Sequence, residues 1–372
     1  MRRGKLIRAF TVGTMLLLLM GVIAACTNAG PEPGNTGEED GVYKLRFSTW
    51  HPPGGRDVET VWKPMIDKIE ENSKGKIEVD GYFGEVLGAS IEHFDIVADG
   101  ISDFGLFTAT FEPGRFPLSD VLSMPVEVLG KDIAADIGYE MYEQILHKDF
   151  PKNVEILQLN GCVSAMVWTV KPAKSLADLK GLRIRTPGSL QTPIIQAMGA
   201  IPVQMPLSDV YLALETGDVD GILTCPQLYQ GYSLYEVAKY GLRGEFGCIT
   251  EGVAMNKQTH DELPQDVRST LKDIVRNQFR ATGGLTEKAI HDCIKEIENK
   301  GVEINYLPDK DDEVLLERFA NDVVKQWVEK LENEGLPAKE ALLRFKAIVD
   351  KTEGAAFRSF PKEWESEVEA YR

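Results

Sequence analysis

The sequence predicts an α/β protein made of two lobes of similar construction. First, strand-like segments with alternating apolar residues follow one another with amphipathic helical segments between residues 43 and 108. Second, the same rhythm restarts between residues 154 and 224, without a close repeat of the sequence. Third, 372 residues with 43% hydrophobic and 27% charged content suffice for two globular domains. We therefore expect largely parallel sheets flanked by helices.

The first lobe opens with a predicted strand over Tyr43–Trp50, which ends at the turn-forming residues 51–55 (His-Pro-Pro-Gly-Gly). A helix is predicted over residues 58–72, because its apolar residues recur at helical spacing. The next elements are a strand at 76–82, a helix at 91–99 and a strand at 103–108.

The second lobe is predicted to hold strands at 154–159, 165–170, 182–185, 202–205 and 221–224, with helices at 190–198 and 208–216. Ser208 is the expected N-cap of the last helix, and Gly217 stands where a helix end favours glycine. Residues 264–300 read as helical apart from Gly283-Gly284, so this segment either breaks there or spans both lobes. Residues 312–372 predict a helical C-terminal extension.

The first 41 residues predict export rather than structure. A basic head and the apolar run Met15–Ala25 are typical of a signal peptide over residues 1–25. The alternative is a retained anchor, although the apolar stretch is short for a bilayer that needs about 20 such residues. Ile23-Ala24-Ala25-Cys26 also resembles the bacterial lipobox, in which the cysteine, here Cys26, is lipidated. Residues 26–41, rich in Gly, Pro and acid, then form a flexible tether.

Charge and motifs exclude several classes of function. Removal of residues 1–25 would lower the formal charge from −17 to −21, so a nucleic-acid partner is not expected. No metal-ligand, nucleotide-binding or nucleophile motif occurs, and we expect no enzyme activity, no cofactor and no metal. Beyond Cys26, an even number of cysteines permits disulfides, but buried thiols are favoured for Cys162, Cys225, Cys248 and Cys293.

The stretch GLRIRTPGS, residues 181–189, places fixed positive charge in an acidic protein. Leu182 and Ile184 alternate with Arg183 and Arg185, so a strand would bury the apolar pair on one face and carry both guanidinium groups on the other. Pro187-Gly188 then predicts a turn at the end of the strand.

Two long stretches resemble one known family. Residues 175–221, SLADLKGLRIRTPGSLQTPIIQAMGAIPVQMPLSDVYLALETGDVDG, resemble the signature of the DctP-type solute receptors of TRAP (tripartite ATP-independent periplasmic) transporters. Residues 84–125, GEVLGASIEHFDIVADGISDFGLFTATFEPGRFPLSDVLSMP, are similar to the N-terminal pattern of the same family. The resemblance is collinear and covers about residues 43–300. It implies a two-lobe periplasmic solute-binding-protein fold with parallel or mixed sheets, a long helix crossing both lobes and a helical C-terminal extension.

The resemblance implies a role for Arg185. In these receptors the arginine of the corresponding strand reaches into the cleft between the lobes and pairs bidentately with a ligand carboxylate. Arg183 is expected to be a surface or structural charge. The alternative for Arg185 is an intramolecular ion pair that bridges the lobes.

Weaker ligand-binding candidates follow from the same resemblance. His51 could donate a hydrogen bond to the ligand or simply cap the turn after the first strand, and Trp168 could form an aromatic wall or core packing. A second arginine of sialic-acid receptors is replaced by Ala165, so sialic acid is not expected. The remaining candidates are Trp50, Phe107, Thr108, Met166, Tyr211, Thr224 and Gln227.

The resemblance also implies the organisation and partners of the protein. Lobe I is expected to comprise residues 42–162 and 251–286, and lobe II residues 163–250 and 287–372. The exported, lipid-anchored receptor, in the periplasm or at the outer face of the cell membrane, would capture a small organic anion and deliver it to TRAP membrane permease subunits. It is expected to be a monomer, with a homodimer through the C-terminal helices as the alternative. Rival functions are a receptor for a sensory system or an ATP-driven importer, and an exported hydrolase.

Overall fold

The computed structural model describes residues 38–39, 41–128, 131–244, 246–281, 287–307, 310–357 and 360–372. Residues Thr36–Arg372 cluster as one compact unit. The predicted signal peptide, Cys26 and most of the tether therefore lie outside the described residues. No helix in the described part of the chain combines the length and the apolar character that a membrane crossing requires.

Strands and helices follow each other along the chain in the α/β manner. The strands are β1 (Glu38–Glu39), β2 (Val42–Thr49), β3 (Ile77–Phe83), β4 (Phe104–Phe107), β5 (Val126–Val128), β6 (Val154–Ser164), β7 (Met166–Thr169), β8 (Arg183–Arg185), β9 (Ile201–Val203), β10 (Gly221–Thr224), β11 (Tyr240–Arg243), β12 (Cys248–Asn256), β13 (Glu303–Tyr306) and β14 (Ala355–Phe357). The α-helices are α1 (Lys63–Asn72), α2 (His93–Ala98), α3 (Lys131–Gln144), α4 (Gln191–Ala197), α5 (Val210–Thr216), α6 (Pro226–Gly231), α7 (Lys257–Glu262), α8 (Gln265–Ala281), α9 (Glu287–Asn299), α10 (Lys310–Asn333) and α11 (Ala338–Lys351). A π-helix over Val58–Trp62 leads into α1.

Two six-stranded mixed sheets form the core of this arrangement. The first has the order β1-β2-β4-β12-β6, with β3 paired to β2, and the second has the order β13-β11-β7-β10-β8-β9. Strand β2 runs parallel to β3 and β4, whereas β12 is antiparallel to both β4 and β6. The predicted α/β class with mixed sheets flanked by helices is confirmed.

The chain crosses between the two sheets along paired strands. Strand β6 of the first sheet leads directly into β7 of the second, and β11 of the second sheet leads into β12 of the first. Because β6 and β12 are antiparallel partners, with Ser164 opposite Cys248, both crossings start from one end of this pair.

Of the two residues predicted to end and to begin helix α5, the structure confirms one. Gly217 ends α5 in the left-handed conformation with a φ of 78°, as the sequence indicates. Ser208 is not the N-cap of α5, because a short 3₁₀-helix over Leu207–Asp209 precedes the helix and begins after Pro206. This extra turn places Ser208 inside helical backbone.

The long helical segment near residue 280 appears as two helices. Helix α8 packs against α1 and α3 beside the first sheet, and α9 packs against α6 of the second. The C-terminal helices also reach both sides, since α10 contacts α4 and α11 contacts α3. Strand β14 pairs with β5 and fixes the end of this extension. The residue boundaries of the two lobes remain a prediction.

A buried histidine gives the fold a pH dependence. His93 in α2 is 1% exposed, and burial, followed by the nearby His51, lowers its pKa to about 4. Because the unfolded chain takes up a proton near pH 6.5 and the folded chain does not, stability falls as the pH drops from about 6.5 to 4. We expect His93 to account for about 2–3 kcal/mol of the stability lost between pH 7.5 and 4.5.

Urea unfolding of His93→Gln at both pH values measures this contribution. The variant should lose less stability on acidification than the wild type, whereas His147→Gln, at an exposed site, should behave like the wild type. An equal loss in His93→Gln and the wild type would show that His93 is not the source.

Candidate functional site

Arg185 stands at the end of β8 as a buried cation. It is 2% exposed, and its Nε and Nη2 donate to the backbone carbonyl of Met205 at 3.2 and 3.1 Å. The guanidinium carbon lies 5.6 Å from the ring centroid of Phe111. No carboxylate of the described residues pairs with it. Burial lowers the pKa of Arg185 to about 10, and the nearby Tyr232 acts weakly in the opposite direction.

Arg183 has a different environment on the same strand. Its Nε and Nη2 bind the carboxylate of Asp220 at 3.0 and 3.1 Å, and Nη2 also donates to the carbonyl of Gly217. Its side chain is 42% exposed. Ile184 is fully buried, as the alternation predicts. On the opposite face of the strand, Arg183 is exposed to solvent and Arg185 is buried.

Arg185 opens onto a cavity of about 210 Å³. Ser90 and Ile91 line it from the side of the first sheet, together with the ring of Phe111. The second sheet contributes the turn after β8 and the segment Gln204–Pro206. The hydroxyl of Ser90 is buried and has no hydrogen-bond partner among the described residues. The cavity thus combines one cation, an aromatic face and an unpaired hydroxyl.

A second cavity, of about 480 Å³, lies between the loop after β2 and helix α6. His51, Arg56 and Asp57 line it on one side, with Gln227 and Tyr232 on the other. The phenol of Tyr232 lines this cavity, and burial, followed by Glu85, raises its pKa, against a smaller effect of Arg185. Two of the predicted binding residues, His51 and Gln227, therefore share a cavity.

Buried polar atoms without partners cluster around α6. The hydroxyl of Thr224, which is 0% exposed, and both amide atoms of Gln227 lack hydrogen bonds within the described residues. An unsatisfied buried group costs about 1–3 kcal/mol, so such groups are usually paired with water or a ligand. Of these two residues, both predicted from the sequence, Gln227 lines the second cavity and Thr224 lines neither cavity.

Three other predicted residues, Trp50, Thr108 and Trp168, are buried and bonded within the protein. Trp50 is 2% exposed and its Nε1 donates to the hydroxyl of Thr108 at 3.2 Å. Trp168 is fully buried, stacks on Tyr229 with the ring centroids 3.8 Å apart, and donates to the carbonyl of Thr224. The indole rings of Trp50 and Trp168 are therefore held by contacts within the protein.

The last three predicted residues lie in other environments. Phe107 is fully buried in a cluster with Phe94 and Phe116, and Met166 is also buried in the core. Tyr211 donates its phenol hydrogen to Glu236 at 2.8 Å and lines neither of the two cavities. The structure does not bring these three side chains to the cavity surfaces described above.

Sequence reasoning missed Phe111, Trp62 and Tyr232. Phe111 follows the end of β4 by four residues, and its position at the same sheet edge as Thr108 was the available signal. Trp62 and Tyr232 carry no local pattern that points to a site. Among the described residues, no three His, Cys, Asp or Glu side chains converge as a metal site, and Cys225, Cys248 and Cys293 are buried. The side chain of Cys162 lies outside the described part.

Comparison with known proteins identifies the family of the chain. A profile of the DctP family, described as bacterial extracellular solute-binding protein, family 7, matches residues 47–330. A solute-binding protein of Chromohalobacter salexigens is 26% identical over 266 residues, which cover 70% of this chain and 78% of that protein.

Solved structures share the fold. A TRAP solute-binding protein from Rhodoferax ferrireducens, in complex with copurified benzoate, superposes with a TM-score of 0.78 at 24% identity, covering 83% of this chain and 98% of that one. A marine metagenome TRAP solute-binding protein in complex with 3-hydroxybenzoate gives a TM-score of 0.77 at 22% identity, covering 84% and 99%. Since the family profile spans most of the chain, the protein belongs to the DctP family and is a DctP-type extracytoplasmic receptor of TRAP transporters.

Proposed function

We propose that this receptor captures a small organic acid whose carboxylate pairs with the guanidinium of Arg185. The observation that carries the proposal is a buried arginine whose partners among the described residues are one backbone carbonyl and one aromatic ring. Burying a charge without a counter-ion is costly, and a carboxylate matches the planar fork of arginine with two parallel hydrogen bonds. A bound carboxylate would therefore supply the counter-ion that Arg185 lacks among the described residues.

The alternative of an intramolecular ion pair at Arg185 has no support in the described residues. Arg183, two positions earlier, does form such a pair with Asp220 at the surface. The contrast between the two arginines on one strand favours a structural role for Arg183 and ligand binding for Arg185.

The surroundings of Arg185 favour a compact acid with an apolar body. The ring of Phe111 lies against the guanidinium, and apolar atoms of Ile91, Met205 and Pro206 line the same cavity. Structures of the same fold hold benzoate and 3-hydroxybenzoate. We therefore place aromatic monocarboxylates first among the acids to be tested.

The rest of the proposed function combines the N-terminal sequence with the family. From the pattern of residues 1–26, the protein would be exported by residues 1–25 and held at the membrane by a lipid on Cys26. As a member of its family, it would pass its ligand to TRAP permease subunits for uptake driven by an ion gradient, and would bind without transforming the ligand. The family match supports this receptor role.

Benzoate and its uncharged isostere benzamide test the proposal on the mature domain lacking residues 1–26. A ligand that binds only the folded state stabilises it, by about 2.7 kcal/mol at a ligand concentration of 100 times its Kd. The melting temperature rises as a result. We expect a shift with benzoate or with another carboxylate of a panel of organic acids, and none with the matching amide. Equal shifts with an acid and its amide, or shifts with neutral solutes only, would contradict an anion receptor.

A further inference from the structure

A buried hydrogen bond fixes the ring of His51. The Nε1 of Trp62 donates to Nδ1 of His51 at 2.8 Å, and the two side chains are 2% and 6% exposed. An indole N–H can only donate, so the nitrogen that accepts it holds no proton. A neutral imidazole carries one proton, which must then be on Nε2.

The indole itself is firmly held. Trp62 is the last residue of the π-helix that leads into α1, and its ring packs against Phe47 and Phe279 with centroid distances of 5.3 and 5.7 Å. Short π-helical segments are often found at functional sites. Here the segment aims one N–H at the histidine of the loop after β2.

We propose that Trp62 is a positioning residue that keeps His51 neutral, with its proton on Nε2, so that the ring acts toward the 480 Å³ cavity as a hydrogen-bond donor. The ligand group recognised there is then an oxygen acceptor, such as a hydroxyl or carbonyl oxygen of the acid. This inference rests on the proposed function and deepens it, because it describes a second polar group on the ligand besides the carboxylate.

The cavity offers further support for a second polar group. Nε2 of His51 lies 3.8 Å from Oδ2 of Asp57, and both residues line the cavity. Gln227, whose amide atoms are buried without partners among the described residues, lines it from the opposite side. A hydroxyl can accept from His51 and also exchange hydrogen bonds with the Gln227 amide. A ligand without such a group would leave the amide unsatisfied.

Neighbouring charges make the role of Trp62 testable. Asp57 favours a protonated His51, and Glu296 in the same cavity acts in the same sense, whereas Arg56 opposes it. A second proton on Nδ1 would bring two N–H groups face to face, which the Trp62 contact forbids. Without the indole N–H, nothing in this contact prevents His51 from taking up that proton.

The deciding experiment is a long-range ¹H–¹⁵N correlation spectrum of the ligand-free domain, with the His51 signals assigned by their loss in His51→Gln. In the wild type we expect the Nε2–H tautomer, unchanged between about pH 5.5 and 8. In Trp62→Phe we expect His51 to titrate in this range. Trp327→Phe is the matched control, because Trp327 is also buried and donates to the carbonyl of Pro117.

The wild-type spectrum needs no variant and decides the tautomer by itself. An Nδ1–H tautomer or a titrating His51 in the wild type would overturn the proposal. An unchanged His51 spectrum in a folded Trp62→Phe would overturn the role of Trp62.

Calorimetry with 3-hydroxybenzoate and benzoate tests whether His51 donates a hydrogen bond to the ligand. We expect the hydroxylated acid to bind roughly fivefold more tightly, with a ratio independent of pH in the wild type and dependent on pH in Trp62→Phe. Equal affinities would overturn the donor role toward the ligand. If neither acid binds, the aromatic-acid assignment fails, and the NMR result still judges the role of Trp62 independently.

Discussion

Arg185→Met should raise the Kd of the bound acid by at least about 30-fold. Truncating one member of a buried, hydrogen-bonded charge pair costs about 2–5 kcal/mol, much of it from the partner left without a counter-ion. Methionine is chosen because it fills a similar volume and leaves the apolar wall near Phe111 in place. Titration calorimetry on the mature domain measures the loss directly.

The same substitution should leave the ligand-free protein as stable as the wild type, or more stable. Arg185 has no ion-pair partner among the described residues, and burial lowers its pKa to about 10, so the folded protein holds this charge at a cost. Replacing a buried charge by an apolar side chain is often neutral or stabilising. Breaking a buried ion pair would instead cost about 3–5 kcal/mol.

Two variants complete this test. Arg183→Met removes a cation from the same strand but from the surface, and should change the Kd by less than about twofold. Arg185→Lys keeps the charge and loses the planar fork, so its affinity should fall between those of the wild type and Arg185→Met. A large loss of ligand-free stability in Arg185→Met, with little loss of affinity, would show that the arginine is structural.

Gly188→Ala should disrupt the turn that carries Arg185. Gly188 has a φ of 126°, and a Cβ there would lie 2.2 Å from the carbonyl oxygen of Thr110. That oxygen belongs to a backbone held in place, since the Thr110 hydroxyl accepts from the amide of Thr250 at 2.7 Å. The neighbouring Ser189 donates to Asp120 at 2.6 Å, so the whole turn is docked against the segment that follows β4.

We expect Gly188→Ala to lower the free energy of unfolding by about 2–4 kcal/mol and to weaken ligand binding. The contact that is lost joins a turn of the second sheet to the segment that carries Phe111, so the cavity walls around Arg185 would separate. Chemical denaturation and calorimetry measure the two effects.

Gly217→Ala is the matched control for backbone strain. Gly217 has a φ of 78° but nothing within 4 Å of an added Cβ, so only the strain of about 1 kcal/mol is expected there. If both alanine variants lost the same stability and bound ligand alike, the close contact at Thr110 would have no role in the site.

The sequence predicted the order of elements and placed Arg183 and Arg185 on one strand. Period-two alternation located β8, and the Pro187-Gly188 pair located the turn, because these features depend on neighbours along the chain. The alternation did not distinguish the exposed Arg183 from the buried Arg185. The end of β8 that carries Arg185 is covered by residues 109–111 and 204–206, which are distant from it in sequence.

The missed features are all products of tertiary packing. The carbonyl of Met205 and the ring of Phe111 reach Arg185 only after the sheets have assembled. Ser208 is not the N-cap of α5, because the chain already enters a 3₁₀ turn after Pro206. A capping rule based on residue type does not predict such a turn. The pairing of Trp62 with His51 depends on a π-helix, for which the sequence offers no specific signal.

The most direct test of the central claim is a crystal structure of the mature domain with the acid that gives the largest thermal shift. Both carboxylate oxygens should lie about 2.7–2.9 Å from guanidinium nitrogens of Arg185. An acid bound elsewhere, with Arg185 still donating only to the carbonyl of Met205, would contradict the assignment of Arg185 as the ligand anchor.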